Sequence, residues 1–224
     1  APDTLTLPGT NHALSNYAGE SCGNGKVKLS YAFAESCNTP FAQLAMDVGY
    51  KDLSSEAEAW GFDDSQSIPL TVTPSRFPET NSDAETAMAG IGQASVRATP
   101  LMMAQVAGTI ANGGDQMKPY LVAQTLDSDL NVVDTTTPKV ARTPISSQTA
   151  QALSSLMQQA VSDGTGSSAQ VAGVSVAGKT GTAETGSDDG GPVTWFVGFA
   201  GTDLSKPSIA LAIVLDGGEQ TAAT

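Results

Sequence analysis

Apolar residues recur at the three- and four-residue spacing of helices through much of the chain. The signal is sharpest after Thr99, which can cap a helix, because Pro100 suits the first helical position and Asn112-Gly113-Gly114 can end it. Helices are also predicted over Leu29–Val48, interrupted or bent near Pro40, over Ser54–Trp60, and from Ser146 or Ser147 to Gly164.

The C-terminal third changes to the two-residue period of strands. Three strands separated by Gly- and Asp-rich turns are predicted over Val174–Glu184, Val193–Ala200 and Ser208–Asp216. Tyr120–Leu126 and Asn131–Asp134 look like a hairpin, and residues 63–82 hold three prolines that favour an extended surface segment. Helices in the middle and strands near the C-terminal end predict an α+β fold with an antiparallel β-sheet flanked by helices.

Composition narrows the functional classes. The 224 residues, 40% of them hydrophobic, can bury a substantial core, and no apolar run approaches the roughly 20 residues that cross a bilayer. The formal net charge is −13, and the ten basic residues are scattered. Nucleic-acid binding draws its affinity from clustered Lys and Arg, so no nucleic-acid partner is expected.

Residues for metal or histidine chemistry are scarce. His12 is the only histidine, and its position relative to Cys22 and Cys37 has no metal-ligand spacing, so neither a metal site nor a cofactor is predicted. The chain has no Gly-x-Ser-x-Gly elbow and no His-Glu-x-x-His. A Ser-His-Asp triad would need His12 from an irregular N-terminal segment, which argues against it.

The segment Lys179-Thr180-Gly181-Thr182 is a candidate binding strand. Side chains alternate along a strand, so Thr180 and Thr182 share a face on which two hydroxyls could hold an anionic group. Gly181 lacks a side chain, which would let a ligand backbone lie against the strand edge and pair with it. The tripeptide alone is also compatible with an ordinary surface strand.

A second candidate is Ser36-Cys37-Asn38. Ser, Asn and Pro cluster where an apolar helix would prefer Ala or Leu, which indicates a turn between two helices. The Ser36 hydroxyl and the Asn38 amide could relay a proton and bind a substrate amide. The alternative is local capping, with Asn38 or Thr39 starting the helix that contains Pro40.

Together these motifs resemble the transpeptidase domain of penicillin-binding proteins. Ser-x-Asn and Lys-Thr-Gly each occur once, and other passages match the family in sequence order from about residue 29 to residue 216. The resemblance is greatest to the monofunctional class B enzymes of the actinobacterial penicillin-binding protein A type. The matching passages are Gly92–Leu101, Ile110–Gly114, Met117–Val122, Gly164–Ala169 and Trp195–Phe199.

The family's nucleophile motif is missing from these residues. The family attacks with the serine of a Ser-x-x-Lys motif upstream of Ser-x-Asn, and none of the seven lysines here lies three residues after a serine. Ser36 lies so near residue 1 that the nucleophile helix would precede the chain. The resemblance therefore implies one partial transpeptidase domain over 1–224, truncated at both ends, with a natural pseudoenzyme as the alternative.

The resemblance implies acyl transfer on peptidoglycan stems that end in D-Ala-D-Ala, with β-lactam antibiotics as acylating inhibitors. Ser36 would help to move a proton to the leaving amine, and Asn38 would bind the substrate amide. Lys179 would supply positive potential, the Thr180 and Thr182 hydroxyls would bind the carboxylate, and the Thr182 N–H would be an oxyanion donor. A flat strand places the Lys179 and Thr182 side chains on opposite faces. Both residues can serve one site only if the strand twists or if Thr182 acts through its backbone.

The cysteines fit an extracytoplasmic location, which the resemblance also implies. Cys22 and Cys37 are the only pair, and a disulfide between them would tie the Ser36–Asn38 turn to the irregular segment before it. Two buried thiols are the alternative. A membrane anchor and cell-wall synthesis partners of the parent protein are implied by the resemblance alone.

Two other functions stay open from the sequence. A β-lactam-hydrolysing or β-lactam-sensing relative shares Lys-Thr-Gly, although the Gly92–Pro100 and Trp195–Phe199 passages favour a transpeptidase. The other function is that of a non-catalytic module that binds the cell wall or a protein partner, a hypothesis that stays open because these residues lack the nucleophile.

Overall fold

A computed structural model describes residues 1–184 and 191–217 of the chain. The helices are α1 (Leu29–Ala34), α2 (Asn38–Val48), α3 (Tyr50–Trp60), α4 (Asp83–Ala89), α5 (Pro100–Ala111) and α6 (Ser147–Ser162), with short 3₁₀ turns at Tyr17–Gly19 and Ser167–Ala169. The strands are β1 (Thr4–Thr6), β2 (Ala13–Ser15), β3 (Gln66–Ser67), β4 (Thr71–Val72), β5 (Gln116–Met117), β6 (Gln124–Leu126), β7 (Val132–Thr135), β8 (Val140–Arg142), β9 (Ser175–Ala183), β10 (Val193–Gly201) and β11 (Ile209–Leu215).

The main sheet of the described residues has three antiparallel strands in the order β11-β10-β9. The prediction of an α+β fold and of three C-terminal strands is confirmed. No predicted strand end differs from the observed end by more than one residue. In the register of β9 on β10, Thr182 lies opposite Thr194 and Lys179 lies opposite Val197. The central strand β10 is the most buried of the three. Because β9 lies at the end of the strand order, one of its edges is unpaired among the described strands.

Two helices cover this sheet. Helix α5 packs on β10 and β11, and α6 packs on β9. Both helices begin with a side-chain cap, in which Thr99 Oγ1 accepts from Met102 N at 3.1 Å and Ser146 Oγ accepts from Thr149 N at 3.1 Å. The core between helices and sheet is made of Ala107, Ile110, Met157, Ala177, Val197 and Phe199.

The segment Leu29–Val48 forms two helices, and the turn between them that Ser36-Cys37-Asn38 indicated is confirmed, whereas Pro40 is not the point of interruption. The chain turns at Ser36, and Pro40 lies in the first turn of α2, where a missing N–H costs nothing. The pattern also missed α4, a seven-residue helix capped by Ser82, because it is too short to show a clear period. Within the described residues, no helix has the length and apolar character needed to cross a membrane.

The predicted disulfide is present between Cys22 and Cys37, whose Cα atoms are 5.9 Å apart. Both cysteines are buried in a small cluster with Ala32 of α1. The bridge closes a loop of 15 residues and attaches the irregular N-terminal segment to the turn between α1 and α2.

Replacing both Cys22 and Cys37 by serine is expected to lower the free energy of unfolding by about 3 kcal/mol, because the cross-link restricts the unfolded chain. Urea unfolding of the oxidised chain, the reduced chain and the double variant measures this. Two titratable thiols in the unreduced, denatured chain would contradict the disulfide itself.

Candidate active site

The side chain of Lys179 on β9 reaches the turn between α1 and α2. Its Nζ donates to Ser36 Oγ, a contact between residues 143 positions apart. The same ammonium donates to the Thr180 carbonyl oxygen at 2.9 Å and lies 3.5 Å from Thr180 Oγ1. Three N–H groups thus meet three oxygens, which satisfies the charged form of the lysine. The two motifs that the sequence singled out therefore lie side by side.

Local backbone geometry explains how Ser36 is presented. At the end of α1, Ser36 N donates to Phe33 O at 3.2 Å and Cys37 N donates to Ala32 O at 2.9 Å. This is the hydrogen-bond pattern of a Schellman motif, which requires a left-handed residue after the helix. Ser36 takes that position with φ of 59°. Glycine is the usual residue there, and a serine costs of order 1 kcal/mol.

Burial makes the charge of Lys179 costly, although the neighbouring Phe33 ring attracts the ammonium. The Nζ lies 5.8 Å from the centroid of the Phe33 ring, and the side chain is largely buried. Burial lowers the pKa of Lys179 from 10.5 to about 8, and the negative charge of Glu35 opposes this by raising the pKa. A fraction of the amine is therefore neutral near physiological pH, and neutral amine can accept a proton from a neighbouring hydroxyl.

Hydroxyl groups continue the polar network along β9. Thr180 Oγ1 lies 2.6 Å from Thr165 Oγ1, a residue in the loop after α6. Thr182 is exposed, and its carbonyl oxygen accepts from Gln93 Nε2 at 3.3 Å. Because the carbonyls of Thr180 and Thr182 both accept from side chains outside the sheet, they point away from β10 to the free edge of β9.

The free edge resolves the conflict that strand alternation creates. The long Lys179 side chain folds back over the edge, and its ammonium contacts the carbonyl oxygen and the hydroxyl oxygen of Thr180, the next residue. Lys179 and Thr180 thus act at one edge although their Cβ atoms leave opposite faces. Gly181 lies half-buried between Thr180 and Thr182 on the same edge.

Asn38 is the predicted site residue with the weakest link to this network. It is the first residue of α2, and its Nδ2 donates to Ser15 O of β2 at 3.1 Å. The N-cap residue Cys37 makes no side-chain cap bond, and the Thr39 N–H of the first turn donates to Asn16 Oδ1 at 3.1 Å, so Asn38 does not cap α2. Asn38 shares the turn with Ser36, and its amide nitrogen is directed to β2 in this state.

The letters Gly173–Thr180 also fit the spacing of a phosphate-binding loop, Gly-x-x-x-x-Gly-Lys-Thr. That motif works as a loop before a helix N-terminus, whose N–H groups hold the phosphate. Here Ser175–Ala183 is a strand, so the fold excludes this use of the motif. Among the described residues, no group of three or more His, Cys, Asp or Glu side chains could hold a metal ion.

Comparison with known proteins gives the family. The family described as penicillin binding protein transpeptidase domain matches residues 3–224. This chain belongs to that family. It is 42% identical, over its whole length, to the peptidoglycan D,D-transpeptidase PbpA of Mycolicibacterium smegmatis, of which it covers 46%. The chain thus spans about half the length of the curated relatives that it matches.

Solved structures agree with this membership of the penicillin-binding transpeptidase family. The imipenem acyl-enzyme complex of penicillin-binding protein A from M. tuberculosis superposes with a TM-score of 0.89 at 38% identity, over 99% of this chain and 50% of that one. The D,D-transpeptidase domain of a peptidoglycan glycosyltransferase from Eggerthella lenta gives 0.89 at 32% identity, over 97% and 54%.

Three residues of the site had no role in the sequence-based interpretation. They are Phe33, Gln93 and Thr165, which contact Lys179, Thr182 and Thr180. Gln93 and Thr165 lie in passages that match the transpeptidase family, yet nothing local indicates their partners. Their contacts join segments 89 and 15 positions apart, so only the folded chain reveals them.

Replacing Glu35 by glutamine is expected to lower the pKa of Lys179 below about 8, because the carboxylate is the charge that favours the ammonium. The ¹³Cε resonance of Lys179, assigned with Lys179→Met, reports this pKa in an NMR titration. Glu58→Gln, at an exposed position on α3, is the matched control and should leave the titration unchanged. An unchanged pKa in Glu35→Gln would contradict the electrostatic account.

Two glycines of β9 should respond differently to alanine. A Cβ at Gly178 would lie 2.3 Å from the Phe196 ring, which is buried, so Gly178→Ala is expected to cost about 2 kcal/mol of stability. A Cβ at Gly181 would meet only Trp195 Cβ at 3.5 Å, an ordinary contact, so Gly181→Ala should change stability by less than about 0.5 kcal/mol. Urea unfolding of both variants decides this, and a large loss in Gly181→Ala would show that the fold itself needs this glycine.

Proposed function

We propose that this chain is part of a peptidoglycan D,D-transpeptidase domain and that the edge of β9 binds peptide stems ending in D-Ala-D-Ala. The observation that carries the proposal is the Lys179–Ser36 contact beside the Thr180 hydroxyl. This contact supports the assignment of a cation, a proton-transferring hydroxyl and an anion-binding hydroxyl to one strand edge. The D,D-transpeptidase names of the relatives support the same reaction.

Each group has a role that its position supports. The Lys179 ammonium and the Thr180 and Thr182 hydroxyls attract the terminal carboxylate of the stem. The peptide backbone adds to the free edge of β9 across Gly181, as an extended ligand adds to a sheet. The Thr182 N–H shares the outward direction of the Thr182 carbonyl and stabilises an oxyanion. β-Lactams, which carry a carboxylate near a reactive amide, occupy the same edge.

The low pKa of Lys179 suits proton transfer through Ser36. With a pKa of about 8, Lys179 can exchange between a charged donor and a neutral acceptor near neutral pH. Ser36 Oγ touches this amine and can carry the proton to the leaving amine of the substrate. Asn38 binds the substrate amide only if its side chain turns from Ser15 O, which is its partner here.

Acyl transfer also needs a nucleophile, and no lysine of this chain lies three residues after a serine. We therefore assign binding and proton-handling roles to these residues and no acylation step. The Cys22–Cys37 disulfide supports an oxidising, extracytoplasmic location. Membrane anchoring and cell-wall synthesis partners stay predictions.

The 224-residue chain is expected to bind diacetyl-L-Lys-D-Ala-D-Ala in preference to the diastereomer ending in D-Ala-L-Ala, with a weak dissociation constant measured by NMR titration. Lys179→Met should weaken binding at least tenfold, since it removes the buried cation that faces the carboxylate. Lys139→Met, at an exposed lysine, is the matched control and should bind as the wild type does.

The same chain should form no covalent adduct with benzylpenicillin in intact-protein mass spectrometry, because it lacks Ser-x-x-Lys. A stoichiometric adduct would refute this assignment of roles. Equal binding of the two diastereomers would argue against stem recognition at β9.

A further inference from the structure

Thr165, in the loop that follows α6, is placed between the two halves of the site. Its backbone N donates to Ala34 O, near the end of α1, at 3.1 Å. Its hydroxyl lies 3.4 Å from the same carbonyl and 2.6 Å from Thr180 Oγ1. One residue therefore contacts both the helix that presents Ser36 and the strand that carries Lys179.

The loop around Thr165 has little freedom to move. A Cβ at Gly164 would lie 2.4 Å from Ala34 O, so only glycine permits this close approach of the two backbones. On the other side, Gly166 N donates to Ala160 O of α6 at 2.9 Å. With its neighbours held in this way, the Thr165 hydroxyl is fixed next to Thr180.

Counting protons limits what the Thr180 hydroxyl can do. The charged form of Lys179 can only donate, so Thr180 Oγ1 accepts from the ammonium and has one hydrogen left to donate. The Thr180 hydroxyl can donate this hydrogen bond either to Thr165 or to a ligand. While the Thr165 hydroxyl donates to Ala34 O, the Thr180 hydroxyl donates its hydrogen bond to Thr165. If the Thr165 hydroxyl rotates and donates to Thr180 Oγ1, the Thr180 hydroxyl can donate to a ligand carboxylate. Ala34 O is then still satisfied by the Thr165 N–H.

We propose that Thr165 is a positioning residue that orients the Thr180 hydroxyl toward a ligand carboxylate by reversing the hydrogen bond between the two threonines. This rests on the proposed function, because the ligand is the carboxylate of the stem. The donated hydrogen bond also polarises the Thr180 hydroxyl, so that Thr180 donates more strongly to the anion. Thr165 acts through Thr180 and needs no contact with the ligand.

The test compares diacetyl-L-Lys-D-Ala-D-Ala with the same peptide ending in a carboxamide, on the full 224-residue chain by NMR titration. The wild type should prefer the acid about tenfold, the value of one good hydrogen bond to a charged group. In Thr165→Val the preference should fall to about twofold, because valine can neither donate nor accept. Thr165→Ser keeps the hydroxyl and should restore the preference.

Controls separate a positioning role from a structural one. Thr137→Val, at an exposed threonine away from the site, should keep the wild-type preference. If Thr165→Val does not fold, as judged by urea unfolding, Thr165→Ala removes the hydroxyl without adding a methyl group and takes its place. An unchanged acid preference in the variant without the hydroxyl would overturn the role of Thr165 and leave the proposed function intact. No acid preference in the wild type would instead overturn carboxylate binding at Thr180, and this inference with it.

Discussion

The candidate site depends on one contact, the hydrogen bond from Lys179 Nζ to Ser36 Oγ. It joins a strand edge to a helix-terminal turn that lies 143 positions earlier in the chain. Helix α6 holds the two in place, because it packs on β9 and on α1 at the same time. The loop after α6 then adds Thr165, which bonds to both Ala34 and Thr180. A single helix and its following loop therefore set the distance across the site.

Both partners of this contact occupy unfavourable positions. Ser36 has a left-handed backbone that glycine would adopt without strain, and Lys179 carries its charge largely away from water. Such costs persist where the surrounding structure compensates for them. The Schellman hydrogen bonds and the Cys22–Cys37 disulfide hold the turn, and three oxygen acceptors satisfy the ammonium. Strain and a displaced pKa at adjoining residues are typical of functional sites.

Charge further defines what the site can bind. The chain has a net charge of −13, so an anionic ligand is repelled at long range except where salt screens the repulsion beyond about 8 Å. The proposed binding of a carboxylate therefore relies on short-range contacts at the edge of β9, where Lys179 and the threonine hydroxyls lie. This favours ligands that combine one carboxylate with an extended backbone over ligands of high negative charge.

The sequence by itself determined the fold class, the three C-terminal strands, the cap of α5 and the residues most apt for chemistry. These follow from local rules: side-chain period, cap and turn residues, and the grouping of Ser36-Cys37-Asn38 and Lys179-Thr180-Gly181. The cluster of polar residues at Ser36-Cys37-Asn38 also indicated the turn between α1 and α2, although the helical pattern put the interruption nearer Pro40; the exact turn at Ser36 depends on backbone hydrogen bonds of the folded chain. Only the tertiary structure decided which distant groups meet. Packing brings separate segments together, and this is how Phe33, Gln93 and Thr165 come to lie in the site. The pKa of Lys179 is lowered because burial is a property of the folded chain.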